Sequence, residues 1–150
     1  MRRLYIVQHG KAYPKEVDPD RKLTEEGIKE TQVIARLLAS KNVKISKIFH
    51  SGKTRARMTA EIIGEVLNVK DIYEAEGLSP LDDPNIWARR ISEFDEDIIL
   101  VGHLPHLSKL VTILLNIDRE VVKIRYSSVL CLLDEDGRWV IEWYLTPDLI

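Results

Sequence analysis

Four apolar residues follow one another from Ile98 to Val101 without any polar alternation. A run this short and this uniformly apolar predicts a β-strand that is buried on both faces. Such a strand belongs to a sheet that has helices packed against each side. The chain is therefore expected to fold as an α/β protein with a mainly parallel sheet.

The rest of the chain alternates in the same way between strand-like and helix-like patterns. Strands are predicted at Leu4–Val7, Lys47–His50, Asp71–Glu74 and 97–103. Helices are predicted within Arg21–Asn42 with Thr24 as the N-cap, and over Thr54–Leu67, Asn85–Glu93 and His106–Asn116. Two final strand-like runs, Val122–Leu133 and Trp139–Leu145, flank an Asp-Gly dipeptide, which predicts an antiparallel hairpin. We expect a three-layer α/β/α fold with a mainly parallel central sheet, a C-terminal hairpin and no large cap.

Length and composition limit the classes of function. The chain has 150 residues, a formal net charge of −2 and 45% hydrophobic residues, which predicts one domain over residues 1–150. This charge balance indicates neither nucleic acid nor a membrane surface as a partner. There is no long apolar run and no targeting signal, which predicts a cytoplasmic protein. Scarce Gln and Asn beside abundant Ile, Glu, Lys and Arg resemble the residue usage of thermophiles.

Three histidines, His9, His50 and His103, are predicted at the carboxyl ends of strands. In open α/β sheets, ligand sites lie at this edge. His9 and His103 each neighbour a glycine, Gly10 and Gly102, and a glycine there lets a ligand approach the backbone closely. One such histidine alone is more often a structural residue. Two in equivalent positions, far apart in sequence, indicate a functional site.

A basic segment, residues 51–59, follows the second strand and opens the second helix. Lys53, Arg55 and Arg57 lie in or next to its first turn, where positive charge is unfavourable for the helix dipole. The free N–H groups of a helix N-terminus and an arginine fork both suit a phosphate group. An ordinary solvated basic turn has the same composition, so this segment alone leaves both interpretations open.

These motifs together resemble a known family. The strand-end His-Gly, the S-x-x-x-R-A-x-x-T pattern from Ser51 to Thr59 and the later Gly-His-Leu-Pro are similar to the histidine phosphatase superfamily. The D-x-D-R-x-L-T-x-x-G pattern from Asp18 to Gly27 and the VGHLPHL stretch resemble its phosphohistidine phosphatase (SixA-like) subfamily. Each motif is weak alone, but their order and spacing along the whole chain are specific.

The resemblance implies a role for each matching residue. His9 matches the nucleophile, whose neutral imidazole would attack phosphorus in line and form a phosphohistidine that water then hydrolyses. Arg55 matches the arginine that binds the transferred oxygens, and His103 matches the second pocket histidine. The family needs neither a metal nor another cofactor, so none is expected. The residues expected to line the substrate site are Gln8, Gly10, Arg21, Ser51 and Glu76.

Gln8 is the first departure from the family pattern. The family motif begins Arg-His-Gly, whereas this chain has Gln8 before His9. A fixed positive charge is therefore missing, and losing one preorganised donor typically lowers the rate by about 10²- to 10³-fold. Gln8 leaves three alternatives open: a slow phosphatase, a phosphate-binding module without turnover, or an altered chain.

The second departure concerns the general acid. The subfamily usually has a glutamate at the position of Gly77, and Glu76 precedes this position by one residue. Glu76 is either a shifted general acid or a solvated loop carboxylate. A weakened acid matters least for an imidazole leaving group, which favours phosphohistidine or another labile phosphoramidate as the substrate.

Cys131 and His106 are two further residues whose side chains could react or bind a metal. Cys131 lies in an apolar run and is expected to be a small buried hydrophobe. His103 and His106 are three residues apart but have no obvious carboxylate partner that would complete a metal site. His106 is therefore expected at the pocket mouth or in solvent.

The resemblance implies a metal-independent phosphatase that works in signal transduction. Without a cap, an open site suits a phosphorylated protein, for example a histidine phosphotransfer domain, better than a small phosphorylated substrate. Inorganic phosphate is expected to bind as well. The alternative is a module that binds phosphate or a phosphoprotein with low turnover, which Gln8 motivates. A phosphomutase is disfavoured by the short chain and the missing cap.

Overall fold

The computed structural model describes residues 2–150, which form one six-stranded sheet flanked by helices. The strands are β1 (Arg3–Gln8), β2 (Lys47–His50), β3 (Ile72–Glu74), β4 (Ile98–Gly102), β5 (Val129–Glu135) and β6 (Arg138–Leu145). The helices are α1 (Glu25–Ser40), α2 (Thr54–Leu67), α3 (Pro84–Arg90) and α4 (His106–Leu115). The strand order is β3-β2-β4-β1-β5-β6, with the first four strands parallel and the last two antiparallel. The predicted three-layer α/β/α fold and its C-terminal hairpin are confirmed.

The side chains of β1 divide the interior into two cores, because successive residues of a strand point to opposite faces. Leu4 and Ile6 pack in the core that α3 and α4 cover, beside Trp87. Tyr5 and Val7 pack in the core that α1 and α2 cover. Both faces of the central strands are therefore buried, and every residue of β4 is buried as its apolar run predicts.

The N-termini of α1 and α2, the two helices that cover the Tyr5–Val7 core, differ. The side chain of Thr24 caps α1 as predicted, with its hydroxyl accepting from the Gly27 N–H at 3.0 Å. Lys53 precedes α2 and makes no capping hydrogen bond with its side chain. The first turn of α2 therefore keeps backbone N–H groups that no cap side chain satisfies.

The C-terminal hairpin is shorter than the sequence pattern predicts. Its turn contains Asp136 and Gly137, both at positive φ (55° and 87°), as a type I′ turn requires. However, β5 begins at Val129 rather than at residue 122. Ser127 adopts a φ of 58°, and the N–H of Ser128 turns back to the Arg125 carbonyl at 3.1 Å, so the preceding residues leave the sheet.

The connection between β3 and β4 carries α3 and one 3₁₀ turn, Ile91–Glu93, where the sequence predicts a single helix. This connection is too short to form a large cap over the carboxyl edge of the sheet. Within residues 2–150, no helix combines the length and the apolar character needed to cross a membrane.

Candidate active site

Two histidines meet at the carboxyl edge of the sheet because β1 and β4 are parallel neighbours. Gln8 and Gly102 are paired in register, and His9 and His103 follow them directly. The two imidazole rings lie with their centroids 5.0 Å apart. Both side chains are buried, with 5% and 1% of their surface exposed. The predicted proximity of these two histidines is confirmed.

Hydrogen bonding fixes which nitrogen of His9 is free to react. Nδ1 lies 2.8 Å from the carbonyl oxygen of Gly10, and a carbonyl can only accept, so Nδ1 carries the proton and Nε2 carries the lone pair. Burial lowers the pKa of His9 to about 4; the Gly10 carbonyl opposes this shift, and the charges of Arg55 and Arg21 add to it. The ring is therefore neutral at pH 7, the state that a nucleophile needs.

Arginine side chains supply positive charge next to this nitrogen. The Nε of Arg55, in the first turn of α2, donates to His9 Nε2 at 3.3 Å. Burial, followed by the charge of Arg21, lowers the pKa of Arg55, but an arginine remains charged in proteins. Arg21 donates to the carbonyl of Tyr13 at 3.0 Å from a backbone with a φ of 52°. Two like charges held close together favour an anion between them.

His103 contacts the second strand end through Ser51. The hydroxyl oxygen of Ser51 lies 2.6 Å from His103 Nε2. Burial lowers the pKa of His103 to about 3, and the charges of His9 and Arg55 push it in the same direction. Its Nδ1 is buried and meets no hydrogen-bond partner among residues 2–150. His103 is thus a neutral ring whose Nε2 shares a hydrogen bond with the Ser51 hydroxyl.

Gly10 has a packing role beside its predicted place in the substrate site. A Cβ at this position would lie 2.9 Å from Thr31 Oγ1 and 3.0 Å from Ser127 Oγ. The Gly10 N–H donates to Thr59 Oγ1 at 2.9 Å, and the Thr59 hydroxyl donates to the Arg55 carbonyl at 2.8 Å. Thr59 therefore ties the loop that carries His9 to the helix that carries Arg55.

Comparison with known protein families agrees with this arrangement. A model of the histidine phosphatase superfamily (branch 1) matches residues 4–82, which is more than half of the chain. The chain belongs to the histidine phosphatase superfamily. The matched part includes His9, Ser51 and Arg55, and the superfamily supports a phosphatase as the general activity.

Similar proteins and solved structures align with nearly all of this chain. The chain is 25% identical to the phosphohistidine phosphatase SixA of Escherichia coli (strain K12), over 96% of this chain and 93% of that protein. It superposes on a structure of the protein histidine phosphatase SixA complexed with tungstate with a TM-score of 0.88, at 25% identity and 98% coverage of both chains. A phosphoserine phosphatase from Entamoeba histolytica, 15% identical, has a TM-score of 0.76 over 97% of this chain and 98% of that one, which shows a common fold.

Gln8, the departure from the family motif, does not join the contacts of the two histidines. It continues the Leu4–Ile6 face of β1, whereas His9 lies on the other face. Its side chain is only 7% exposed and lines a separate cavity together with Leu104 and Tyr126. The strand alternation carried this information, but the motif comparison alone placed Gln8 in the phosphate pocket.

The backbone at Gly77, where the family resemblance implies a glutamate, has a conformation that suits glycine. Its φ is 88°, and a Cβ would lie 3.0 Å from Ile86 Cγ2. A side chain at this position would therefore be strained. Glu76 is exposed and lines a cavity of about 380 Å³ that also includes Ser51. The carboxylate of Glu76 thus lies on the Ser51 side of the site.

The sequence pattern missed one residue and misplaced another. Tyr126 lies with its ring 5.6 Å from that of His9, and no motif indicated it, because it sits in the irregular segment before β5. The prediction that His106 faces the pocket mouth or solvent is wrong, since its side chain is fully buried. Neither ring nitrogen of His106 meets hydrogen-bond geometry, and burial lowers its pKa.

His50 and Cys131 are structural. His50 Nδ1 accepts from the Gly52 N–H at 3.0 Å and so shapes the loop after β2. Burial raises the pKa of Cys131 to about 12, which confirms a buried, unreactive thiol. No cluster of three or more His, Cys, Asp or Glu side chains suited to a metal ion occurs within the described part of the chain.

Proposed function

We propose that residues 1–150 form a single-domain phosphatase that transfers a phosphoryl group to His9 Nε2 and then to water. The proposed substrate is phosphohistidine on a protein, or another labile phosphoramidate or small phosphoester. The name of the E. coli relative supports phosphohistidine. The open carboxyl edge supports a protein partner, such as a phosphotransfer domain of a cytoplasmic signalling system.

The observation that carries the proposal is the fixed tautomer of His9. Its Nδ1–H is held by the Gly10 carbonyl, and its neutral ring presents the Nε2 lone pair toward Arg55. A structural histidine has no need for a lone pair directed at a guanidinium group. A nucleophile needs this arrangement, because the same guanidinium can bind the phosphoryl oxygens as Nε2 attacks.

The chemistry then proceeds in two displacements. Nε2 attacks phosphorus as the bond to the leaving group breaks, and the leaving group takes up a proton from water at the open edge of the site. Arg55 moves its hydrogen bond from Nε2 to a phosphoryl oxygen. Arg21 adds positive charge, and the N–H of His103 donates to another oxygen, so no metal is required to balance the charge. Water then attacks the phosphorus of phospho-His9, which releases phosphate and restores the lone pair.

A phosphate- or phosphoprotein-binding module with low turnover is the second candidate. It is favoured by Gln8, whose side chain carries no charge and lines a cavity other than the space between His9 and Arg55. Under this alternative, the protein binds phosphate or a phosphorylated partner but removes the phosphoryl group from that partner very slowly.

The test measures phosphate release from phosphoramidate by the wild type, His9→Asn and His50→Asn. His50 is the matched control, because it also ends a strand and Asn can still accept from the Gly52 N–H. We expect His9→Asn to abolish turnover and His50→Asn to retain it. Equal turnover in His9→Asn and the wild type overturns the proposal. Phosphate binding without turnover by the wild type favours the binding module.

A further inference from the structure

A second cavity lies immediately beside the phosphate site. Its volume is about 420 Å³. The residues of its wall that matter for the argument are Gln8, Leu104, Lys123, Arg125, Tyr126 and Asp148. Leu104 directly follows His103, and the ring of Tyr126 lies against that of His9. A substrate whose phosphoryl group faces His9 can therefore extend past Tyr126 into this cavity.

Gln8 presents its amide to the cavity. The residue is 7% exposed and lies in the cavity wall, and its amide makes no side-chain hydrogen bond within residues 2–150. A carboxamide offers two N–H donors and an acceptor oxygen. The amide thus has capacity for a ligand that can accept hydrogen bonds.

The cavity also carries two cations that are only loosely paired. Arg125 lies 3.8 Å from Asp148, and Lys123 lies 3.9 Å from Glu120, with all four side chains well exposed. Exposed ion pairs at such distances contribute little, so both cations can turn toward a new partner. The wall contains one carboxylate, that of Asp148, so the cavity has an excess of positive charge.

We propose that this cavity is a leaving-group subsite that binds an acidic residue next to the phosphorylated side chain of a peptide or protein. Arg125 and Lys123 pair with the carboxylate, and Gln8 donates to it from the cavity wall. Gln8 is then a specificity-determining residue in place of a phosphate-binding one. The inference rests on the proposed phosphatase function, since it assigns the part of the substrate that leaves.

The experiment compares three substrates. Phosphoramidate contains only the phosphoryl group and a nitrogen, so it cannot reach the cavity. Two phosphohistidine peptides differ only in having Glu or Gln next to the phosphohistidine. We expect the wild type to favour the Glu peptide by about tenfold in kcat/KM, because a charge-assisted hydrogen bond replaces a neutral one. The preference falls as salt is added.

Variants separate the cavity from a general charge effect. Arg125→Gln and Lys123→Gln are expected to lower the preference for Glu to about twofold or less, while phosphoramidate turnover stays unchanged. Asp148→Asn, which removes the opposing carboxylate, raises the preference. Arg138→Gln is the matched control, because it removes an exposed cation beside the hairpin turn, at the opposite end of the sheet.

The outcomes distinguish this inference from the proposed function. Absence of phosphoramidate turnover refutes the phosphatase proposal, and the Glu and Gln peptides are then compared by binding calorimetry. Turnover of phosphoramidate with equal kcat/KM for both peptides refutes the subsite alone. A Glu preference that survives in Arg125→Gln and Lys123→Gln, or that drops equally in Arg138→Gln, also refutes it. Circular dichroism checks that each variant is folded.

Discussion

Replacing Thr59 by valine tests how the nucleophile is positioned. The side chain is fully buried, and its hydroxyl accepts from the Gly10 N–H at 2.9 Å. Valine has nearly the same shape but offers no acceptor, so the Gly10 N–H is left buried without a partner. Such a group costs about 1–3 kcal/mol, and we expect the free energy of unfolding to fall by this amount.

Thr59→Val should also lower the rate of the reaction at His9. The Gly10 carbonyl that accepts from His9 Nδ1 belongs to the residue that Thr59 holds. When that residue is released, the ring spends less time in the reactive tautomer and orientation. We expect kcat to fall on the order of tenfold, with a smaller change in KM because Arg55 remains.

Thr112→Val is the matched control for Thr59→Val. The Thr112 hydroxyl donates to a carbonyl of its own helix, that of Lys109, at 2.8 Å, and supports nothing else. Urea unfolding followed by tryptophan fluorescence gives both free energies, and initial rates with phosphoramidate give kcat. If Thr59→Val loses no more stability than Thr112→Val and keeps the wild-type kcat, the Thr59 hydroxyl does not position His9.

Three further predictions follow from buried groups. The pKa of His9 in the folded protein, about 4, lies below the unfolded value of about 6.5, so the stability that the neutral ring contributes is fully present above pH 6.5. This contribution, about 3 kcal/mol, is lost as the pH falls toward 4. NMR titration of the ring protons should show His9 and His103 with midpoints below pH 5, and midpoints near 6.5 would contradict this. Gly27→Ala places a Cβ 2.2 Å from the Lys11 carbonyl and should cost about 2 kcal/mol or more in urea unfolding; an unchanged midpoint would show that the loop moves freely. His106→Leu removes a buried ring whose nitrogens lie outside hydrogen-bond geometry within residues 2–150 and whose polar neighbour is the Gly77 backbone. The free energy of unfolding should change by no more than about 1 kcal/mol, and a larger loss of stability would reveal a strong bond between the ring and that backbone.

The sequence predicts the site to the extent that regular structure determines it. Parallel strands end at one edge of a sheet, so the short apolar runs before His9 and His103 were sufficient to place both rings together. Arg55 followed for a similar reason, because it opens the helix after the next strand. The hairpin turn was equally accessible, since an Asp-Gly pair at positive φ is the common solution for a two-residue connection.

The motifs do not predict details that depend on side-chain direction or on irregular backbone. Tyr126 reaches His9 from a segment that the apolar pattern assigned to a strand. His106 is a polar residue type and lies outside the apolar pattern of α4, yet its side chain is buried at the start of that helix. The tautomer of His9 depends on the carbonyl of Gly10, whose N–H is bound by Thr59, and no spacing rule identifies either contact. For Gln8, alternation along β1 indicates a position on the opposite face of the strand from His9, which the motif alone does not show.

Trapping the phosphorylated enzyme tests the central claim most directly. The protein is mixed with ³²P-labelled phosphoramidate, quenched in alkali within the first turnover and digested, and the labelled peptide is sequenced by mass spectrometry. We expect up to one acid-labile phosphoryl group per chain, located on His9 and absent from His9→Asn. A wild-type enzyme that releases phosphate without label on His9, or with the label on His103, would contradict it.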